Sequence, residues 1–275
     1  MKKQILGLVA TVAIAATAAV PASAHRQWMM PSSTVLSGDD VWVTVDAAVS
    51  NDLFYFEHQP LRLDAMKAWA PDGTEVAIEN KATGRYRSTF DVHLTQKGTY
   101  RIASVADMLM GSYDLNGKTE RLPRGTTAAN LAERIPAGAT NVKTAEANNR
   151  NEIFVTVGEP TTTLFKPVGK GIELVPVTHP NDLIAGEAAT FQFLLDGKPA
   201  ADLPVTVIPG GIRYRDQLGD QHLKTDADGK VEINWAEPGM YWLNVTTPQA
   251  GGDEGAPPPI ARRVSYATTL EVLAP

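Results

Sequence analysis

The 275-residue chain contains no cysteine. Disulfides are therefore excluded, so an oxidising compartment must be survived on core packing alone, and no residue is available for a lipoprotein anchor. Beyond the first two dozen residues, no stretch stays apolar for long enough to cross a bilayer. A phosphate-cradling glycine loop, a zinc-protease helix and a nucleophile elbow are all missing, which leaves catalysis without visible residues. Basic residues are in the minority, 25 against 31 acidic. That balance argues against nucleic acid or anionic lipid as partners.

What is present begins with an address. Lys2 and Lys3 precede an almost unbroken apolar run over residues 5–20, and Ala22-Ser23-Ala24 follows with the small side chains that signal peptidase accepts. Residues 1–24 read as a signal peptide cleaved after Ala24. The expected product is a soluble periplasmic protein without membrane insertion, with a formal charge of −8 once the two lysines are gone (23 basic against 31 acidic). Its roughly 250 residues suffice for two domains, each with its own core.

The remainder reads as strands. Val41, Val43 and Val45 alternate with Trp42 and Thr44; Phe90, Val92 and Leu94 alternate with Asp91 and His93; Ile153, Val155 and Val157 alternate with Phe154 and Thr156. Residues 190–195, 205–208, 231–235 and 241–245 repeat the theme, and Asp-Gly pairs at 72–73, 196–197 and 228–229 supply hairpin turns. The halves echo each other: Gly-acid before a strand (Gly38-Asp39, Gly186-Glu187), then an Asp-Gly turn, then Gly-x-Tyr (Gly98-Thr99-Tyr100, Gly239-Met240-Tyr241). The expected fold is all-β, two tandem Ig-like or transthyretin-like β-sandwiches over residues 25–158 and 159–275. Residues 108–150 lack alternation and read as a partly ordered insertion with a short helix near residues 128–134. Residues 248–259, rich in Pro, Gly and acid, read as an exposed loop before a last strand over 263–273.

Cleavage after Ala24 would make His25 the first residue. A free α-amine (ordinarily titrating near pH ~8) and an imidazole (near ~6.5) on one residue can then chelate one ion, and such nitrogen donors suit copper and nickel. Trp28 and the Met29-Met30 pair argue against a frayed terminus, because they need something to pack on. Two nitrogens are too few for a tight site. His93, on the polar face of its strand, and His58, after Phe54-Tyr55-Phe56, are the candidate further ligands; the plain alternatives are a solvent-facing and a satisfied interior histidine. Met108 and Met110 offer soft thioethers suited to cuprous ion, although methionine fills core gaps more often. His179 and His222 read as plain surface residues. Asp226-Ala227-Asp228-Gly229 lacks the later glutamate of a calcium loop and reads as a hairpin turn.

At these residues the chain resembles a bacterial periplasmic family of unknown function that is often labelled a nickel-uptake, NikM-like component. The likeness rests on His25, Trp28 and Met30-Pro31-Ser32, on Phe154-Val155-Thr156-Val157-Gly158, and on Gly171-Ile172-Glu173-Leu174-Val175-Pro176. Asp196-Gly197-Lys198-Pro199, Thr225-Asp226-Ala227-Asp228-Gly229 and Pro238-Gly239-Met240-Tyr241 continue it. The resemblance implies a β-sandwich protein tied to transition-metal uptake, with nickel or cobalt usually named and copper or iron left open. The label also suggests a membrane-spanning component, from which this chain departs. The expected function is a non-enzymatic metal-binding accessory whose partners are a divalent or cuprous ion and an envelope transporter component. The alternative is a metal-free Ig-like module docking an envelope partner through Trp28, Trp69, Trp235 and Trp242. A copper oxygenase, which shares only an N-terminal histidine, would need a second histidine facing His25.

Overall fold

The computed structural model describes residues 25–247 and 262–275. The leader and cleavage site expected over residues 1–24, and the loop expected over residues 248–259, lie outside the described residues. The strands of the first half are β1 (Arg26–Pro31), β2 (Val35–Leu36), β3 (Val41–Ser50), β4 (Gln59–Pro60), β5 (Met66–Trp69), β6 (Glu75–Val76), β7 (Glu79–Thr83), β8 (Ser88–Leu94), β9 (Gly98–Leu115), β10 (Lys118–Arg121) and β11 (Thr140–Val157). Those of the second are β12 (Ile172–Pro176), β13 (Ala188–Leu195), β14 (Lys198–Pro199), β15 (Pro204–Pro209), β16 (Gln221–Lys224), β17 (Lys230–Asn234), β18 (Gly239–Thr246) and β19 (Arg262–Val272). The protein is a nearly all-β sandwich of several sheets, as the alternating runs predict. No described helix is long and apolar enough to cross a membrane.

Five strands make the first sheet, in the order β1-β3-β8-β7 with β4 beside β3. Four make another, β12-β13-β14 with β17 beside β13. Between them runs a ten-stranded sheet, β16-β15-β18-β19-β11-β9-β5-β6, with β10 and β2 at its flanks. Both halves of the chain therefore enter one sheet. They meet where β11 and β19 pair in parallel, Asn151 opposite Ala267. A hairpin cannot make a parallel pair, and here the whole second half serves as the crossover.

Alternation explains the cores. The inward face of β3 (Val41, Val43, Val45) and β8 (Phe90, Val92, Leu94) packs on Tyr100 and Ile102 of β9 and on Ile153, Val155 and Val157 of β11. On the opposite face of the long sheet, Phe154, Val205, Leu243 and Tyr266 pack against Phe191, Phe193 and Ile233 of the four-stranded sheet. Each such side chain contributes about 1.5–3 kcal/mol on burial. Residues 153–157 are buried on both sides because β11 is covered there on both faces. A third cluster, Trp28, Ala48 and Leu53 against Ile208, Trp242 and Ala267, joins the first sheet to strands of the second half.

Three expectations change. Residues 108–150 continue β9 and β11 as paired arms, Met108 opposite Ala147 and Met110 opposite Ala145, with β10 on one flank. Alternation is missing there because neither face of the arms is continuously buried. The helix is a single turn, α1 (Leu131–Arg134). The turns at 72–73 and 196–197 do close hairpins, and Asp196 and Gly197 both take the positive φ of a type I′ turn (51° and 78°). Asp228-Gly229 does not: it leads from β16 of the ten-stranded sheet to β17 of the four-stranded one. Asp226 caps that crossing, its Oδ1 accepting from the N–H groups of Asp228 and Lys230.

Candidate functional site

His25 sits one residue before β1, and β1 is pinned from two sides. It pairs with β3 from Arg26 opposite Ser50 to Pro31 opposite Val45. Trp28 and Met29 are fully buried. The Trp28 indole N–H donates to Ser50 Oγ at 2.7 Å. From the second half, the Trp242 indole N–H donates to the Gln27 carbonyl at 2.9 Å. The segment that follows His25 is built into the fold, as the Trp and Met residues implied.

After β3 the chain doubles back. Glu57 Oε1 accepts from the N–H groups of Asn51 and Asp52 (2.7 and 3.0 Å), and Phe54 takes a left-handed φ of 62°. This compact loop returns His58 to His25, and their rings stack with centroids 3.7 Å apart and planes 15° from parallel. Both imidazoles are exposed. Beside them, Arg26 donates to the Asn51 carbonyl at 2.7 Å and lies 6.0 Å from the Trp242 ring. Burial pulls its guanidinium pKa below the usual arginine value, against the opposing pull of Asp220 and Asp52.

His93 is elsewhere. It pairs with Trp42 at the far end of β3, eight residues from the Ser50 that faces Arg26, or about 27 Å at the rise of a strand. There its ring stacks on Trp42 (4.3 Å, 2°) and its Nε2 lies 2.8 Å from Asp40. That is a surface contact with a carboxylate and not a convergent ligand. Met110, 46% exposed, lines the same groove as His25, and Met108 stands two residues before it on the same strand. His222 also lines this groove, with Nε2 2.7 Å from Asp220. His179 is no surface residue: it is half-buried between Thr99, Thr161 and Asn181. Trp28, Trp235 and Trp242 are buried, so none of the three is an exposed anchor.

Among the described residues, no three His, Cys, Asp or Glu side chains stand together as metal ligands. A ring nitrogen's lone pair lies in its ring plane, and planes this near to parallel do not meet within a coordination distance of about 2 Å. A shared ion therefore requires one of the two exposed rings to turn about its Cβ–Cγ bond, a soft, roughly two-fold torsion. The further donor has to come from outside those side-chain types.

The groove that His25 borders has a volume of about 1120 Å³. It exists because the sheets differ in length. β3 ends at Ser50 and β1 starts at Arg26, while β9 and β11 run on for 18 residues each. Further along, the sheet face that carries Ile153 and Val155 into the core lines the groove instead, with Asn151, Asn149 and Ala147 on the same side. A straight row crosses this floor through opposed residues: Ser104, Asn151, Ala267, Asn244, Thr206 and His222. Asn151 is 4% exposed, yet neither its Oδ1 nor its Nδ2 has a hydrogen-bond partner among the described residues. Sequence reasoning missed this floor. The one available signal is Asn148-Asn149-Arg150-Asn151, polar residues interrupting a strand that becomes core two positions later.

No curated protein matches the chain. Solved structures align at low similarity: the D0-D1 domain of intimin (13% identity, 89% of this chain and 97% of that one, TM-score 0.23) and a two fibronectin type-III domain segment of chicken tenascin (11%, 90% and 99%, 0.24). The human OSCAR ligand-binding domain is similar to the same extent (13%, 91% and 100%, 0.21). Scores this low carry no argument. The family comparison is firmer: the sequence profile of a domain of unknown function, DUF4198, matches residues 22–249, and the chain belongs to that family.

Proposed function

We propose that the protein binds a transition-metal ion at the N-terminus released by cleavage after Ala24, as a periplasmic accessory to metal uptake. The observation that carries this reading is the contact between His25 and His58, two exposed imidazoles brought together by β1 and the 51–57 loop. Neither ring makes an ion pair among the described residues. The α-amine and ring of His25 are the chelating pair, and the His58 ring is the further nitrogen ligand after a turn about its Cβ–Cγ bond. An amine donor also accounts for a site without three ligating side chains. All-nitrogen donors favour copper, nickel and cobalt over harder ions. Resemblance to nickel-uptake components supports nickel or cobalt as the cargo, with copper and iron as the alternatives. Met110, and Met108 beside it, are the thioethers available to a cuprous ion. The exposed His93 pair with Asp40 takes no part in this site.

Calorimetry with Ni, Co and Cu on protein verified by mass spectrometry to start at His25 tests the reading. A protein that retains Ala24 has an amide where the amine would be, and its affinity should fall by about tenfold or more, equivalent to about 1.4 kcal/mol. His58→Ala should weaken binding in the same direction. Equal affinity with and without Ala24 refutes the terminal site, and no binding of any of the three ions leaves the metal-free docking module as the better reading.

A further inference from the structure

We infer that the groove on the ten-stranded sheet is a binding site for a neutral, hydroxyl-rich ligand, a saccharide, seated on the side chain of Asn151. The inference stands apart from the metal reading, because it uses the floor of the groove and not the nitrogens at its rim.

Asn151 is the starting point. A buried polar side chain without a partner is rare in folded proteins, and each orphaned group is costly. Here one amide leaves both a donor and an acceptor unmet, at the centre of a concave surface and between Ser104 and Ala267. The amide nitrogen and oxygen lie side by side, which matches a pair of neighbouring hydroxyls, one accepting and one donating. Asn149, Ser265, Asn244 and Thr206 extend the floor; Ser265 Oγ already donates to Asn149 Oδ1 and Asn244 Nδ2 to the Tyr266 carbonyl, and each side chain keeps further donor or acceptor capacity. This part of the floor is made of dual-role neutral groups, with Arg26, Arg150, Arg263, Asp52 and Asp220 elsewhere in the lining, and it fits a ligand whose groups are themselves dual-role and neutral.

Other ligand classes fit less well. Of the three arginines that line the groove, Arg26 already faces Asp52 and Asp220 with a carbonyl partner at Asn51, and Arg150 pairs with Glu152 and Glu173, so an anion would meet Arg263 as the one arginine without an ion pair among the described residues. An extended peptide would turn alternate side chains to the floor, where Ala106, Ala147 and Ala267 offer little to grip, although Met110, Ile208 and Trp242 also line the groove. A bare ion needs a small fraction of 1120 Å³. At one end the wall changes to Ile208, Ile212 and Leu218. A sugar ring has the complementary character, hydroxyls around its edge and C–H groups on its face.

The test titrates the ¹⁵N-labelled protein, in the presence of a chelator, with cellotetraose, maltotetraose and chitotetraose, and separately with tetra-alanine. The side-chain amide signals of Asn149 and Asn151 are followed. A saturable shift of the Asn151 signal with at least one saccharide is expected. Asn151→Leu, which fills the same space without polar atoms, should weaken binding about tenfold or more while the protein stays folded. Asn149→Ala, on the same floor, should weaken it in the same direction and provides the answer if the Leu variant does not fold. No Asn151 shift with any saccharide up to about 20 mM, a concentration far above useful affinity, overturns the assignment. Tetra-alanine moving the same signals as strongly overturns it in favour of a peptide groove. Because the chelator removes metal throughout, failure of this titration leaves the terminal site untouched.

Discussion

His179 closes a ring of hydrogen bonds, and its protonation should open it. Its Nδ1 accepts from the Asn181 N–H at 3.1 Å, so the proton is on Nε2, which lies 3.1 Å from Thr99 Oγ1 and 3.2 Å from the Thr161 carbonyl. Thr99 in turn meets Thr156 at 2.9 Å, and Thr156 donates to Asn181 Oδ1 at 2.8 Å. Burial lowers the His179 pKa below the usual histidine value, with the Thr161 carbonyl and Asp182 pulling the other way. The unfolded chain therefore takes up this proton near pH ~6.5 while the folded chain resists. The contribution is complete above that pH and is lost on acidification, down to the lowered folded pKa. His179→Gln removes the ring and takes away the acceptor of the Asn181 N–H and the donor to the Thr161 carbonyl, while the Thr99 hydroxyl keeps Thr156 and the Thr161 N–H. At about 1–3 kcal/mol for a buried orphan, and a half-buried site, a loss of about 2 kcal/mol is expected at neutral pH. For a chain of this size that lowers Tm by about 4–8 °C. Urea unfolding of both proteins at about pH 7.5 and pH 5 isolates the effect from other titrating groups. The stability gap between wild type and variant should narrow at the lower pH. A gap that stays constant or widens refutes the reasoning.

Gly111 has φ +151°, and a Cβ there would lie 1.9 Å from the Lys143 carbonyl oxygen. Gly111→Ala should force the β9–β11 arms apart, seen as faster amide hydrogen exchange on both sides of the pair, with no change in exchange at Val155. Trp242→Phe removes the indole donor to the Gln27 carbonyl and should cost about 1 kcal/mol, or a fall in Tm of about 2–4 °C. An unchanged melting curve would show that the clamp on β1 lies in packing alone.

The all-β class was legible because sandwich cores impose period-2 burial on the strands that enclose them, as β3 and β8 do. Two things were hidden. The arms of β9 and β11 carry no periodicity, since periodicity records a buried face and theirs are largely open. The parallel pairing of β11 with β19 joins residues more than a hundred positions apart, and no local pattern encodes such a register. For the site, His25 and His58 could be proposed as chemistry but not as neighbours. The loop that unites them depends on Glu57 capping two backbone N–H groups, a contact without a sequence signature of its own. His93 failed for the converse reason. It is on the polar face of its strand as expected, but strand register sends it to the wrong end of β3.

One sheet face thus serves two purposes, and the change of purpose falls within β11. Ile153 and Val155 are core, and Asn151, Asn149 and Ala147 on the same side form the groove floor. If stability alone had shaped this strand, an aliphatic residue at 151 would extend the core by one position and remove two orphaned polar atoms. Substitution of a partnerless buried polar group by an apolar one of similar size is neutral to stabilising. Asn151 is buried like its core neighbours, so ordinary solvent exposure does not explain it. Places where a sequence breaks its own pattern without local compensation are where function is to be sought. The polar row from Ser104 to Thr206 lies on both sides of that break, which makes a single stray asparagine the poorer account of it.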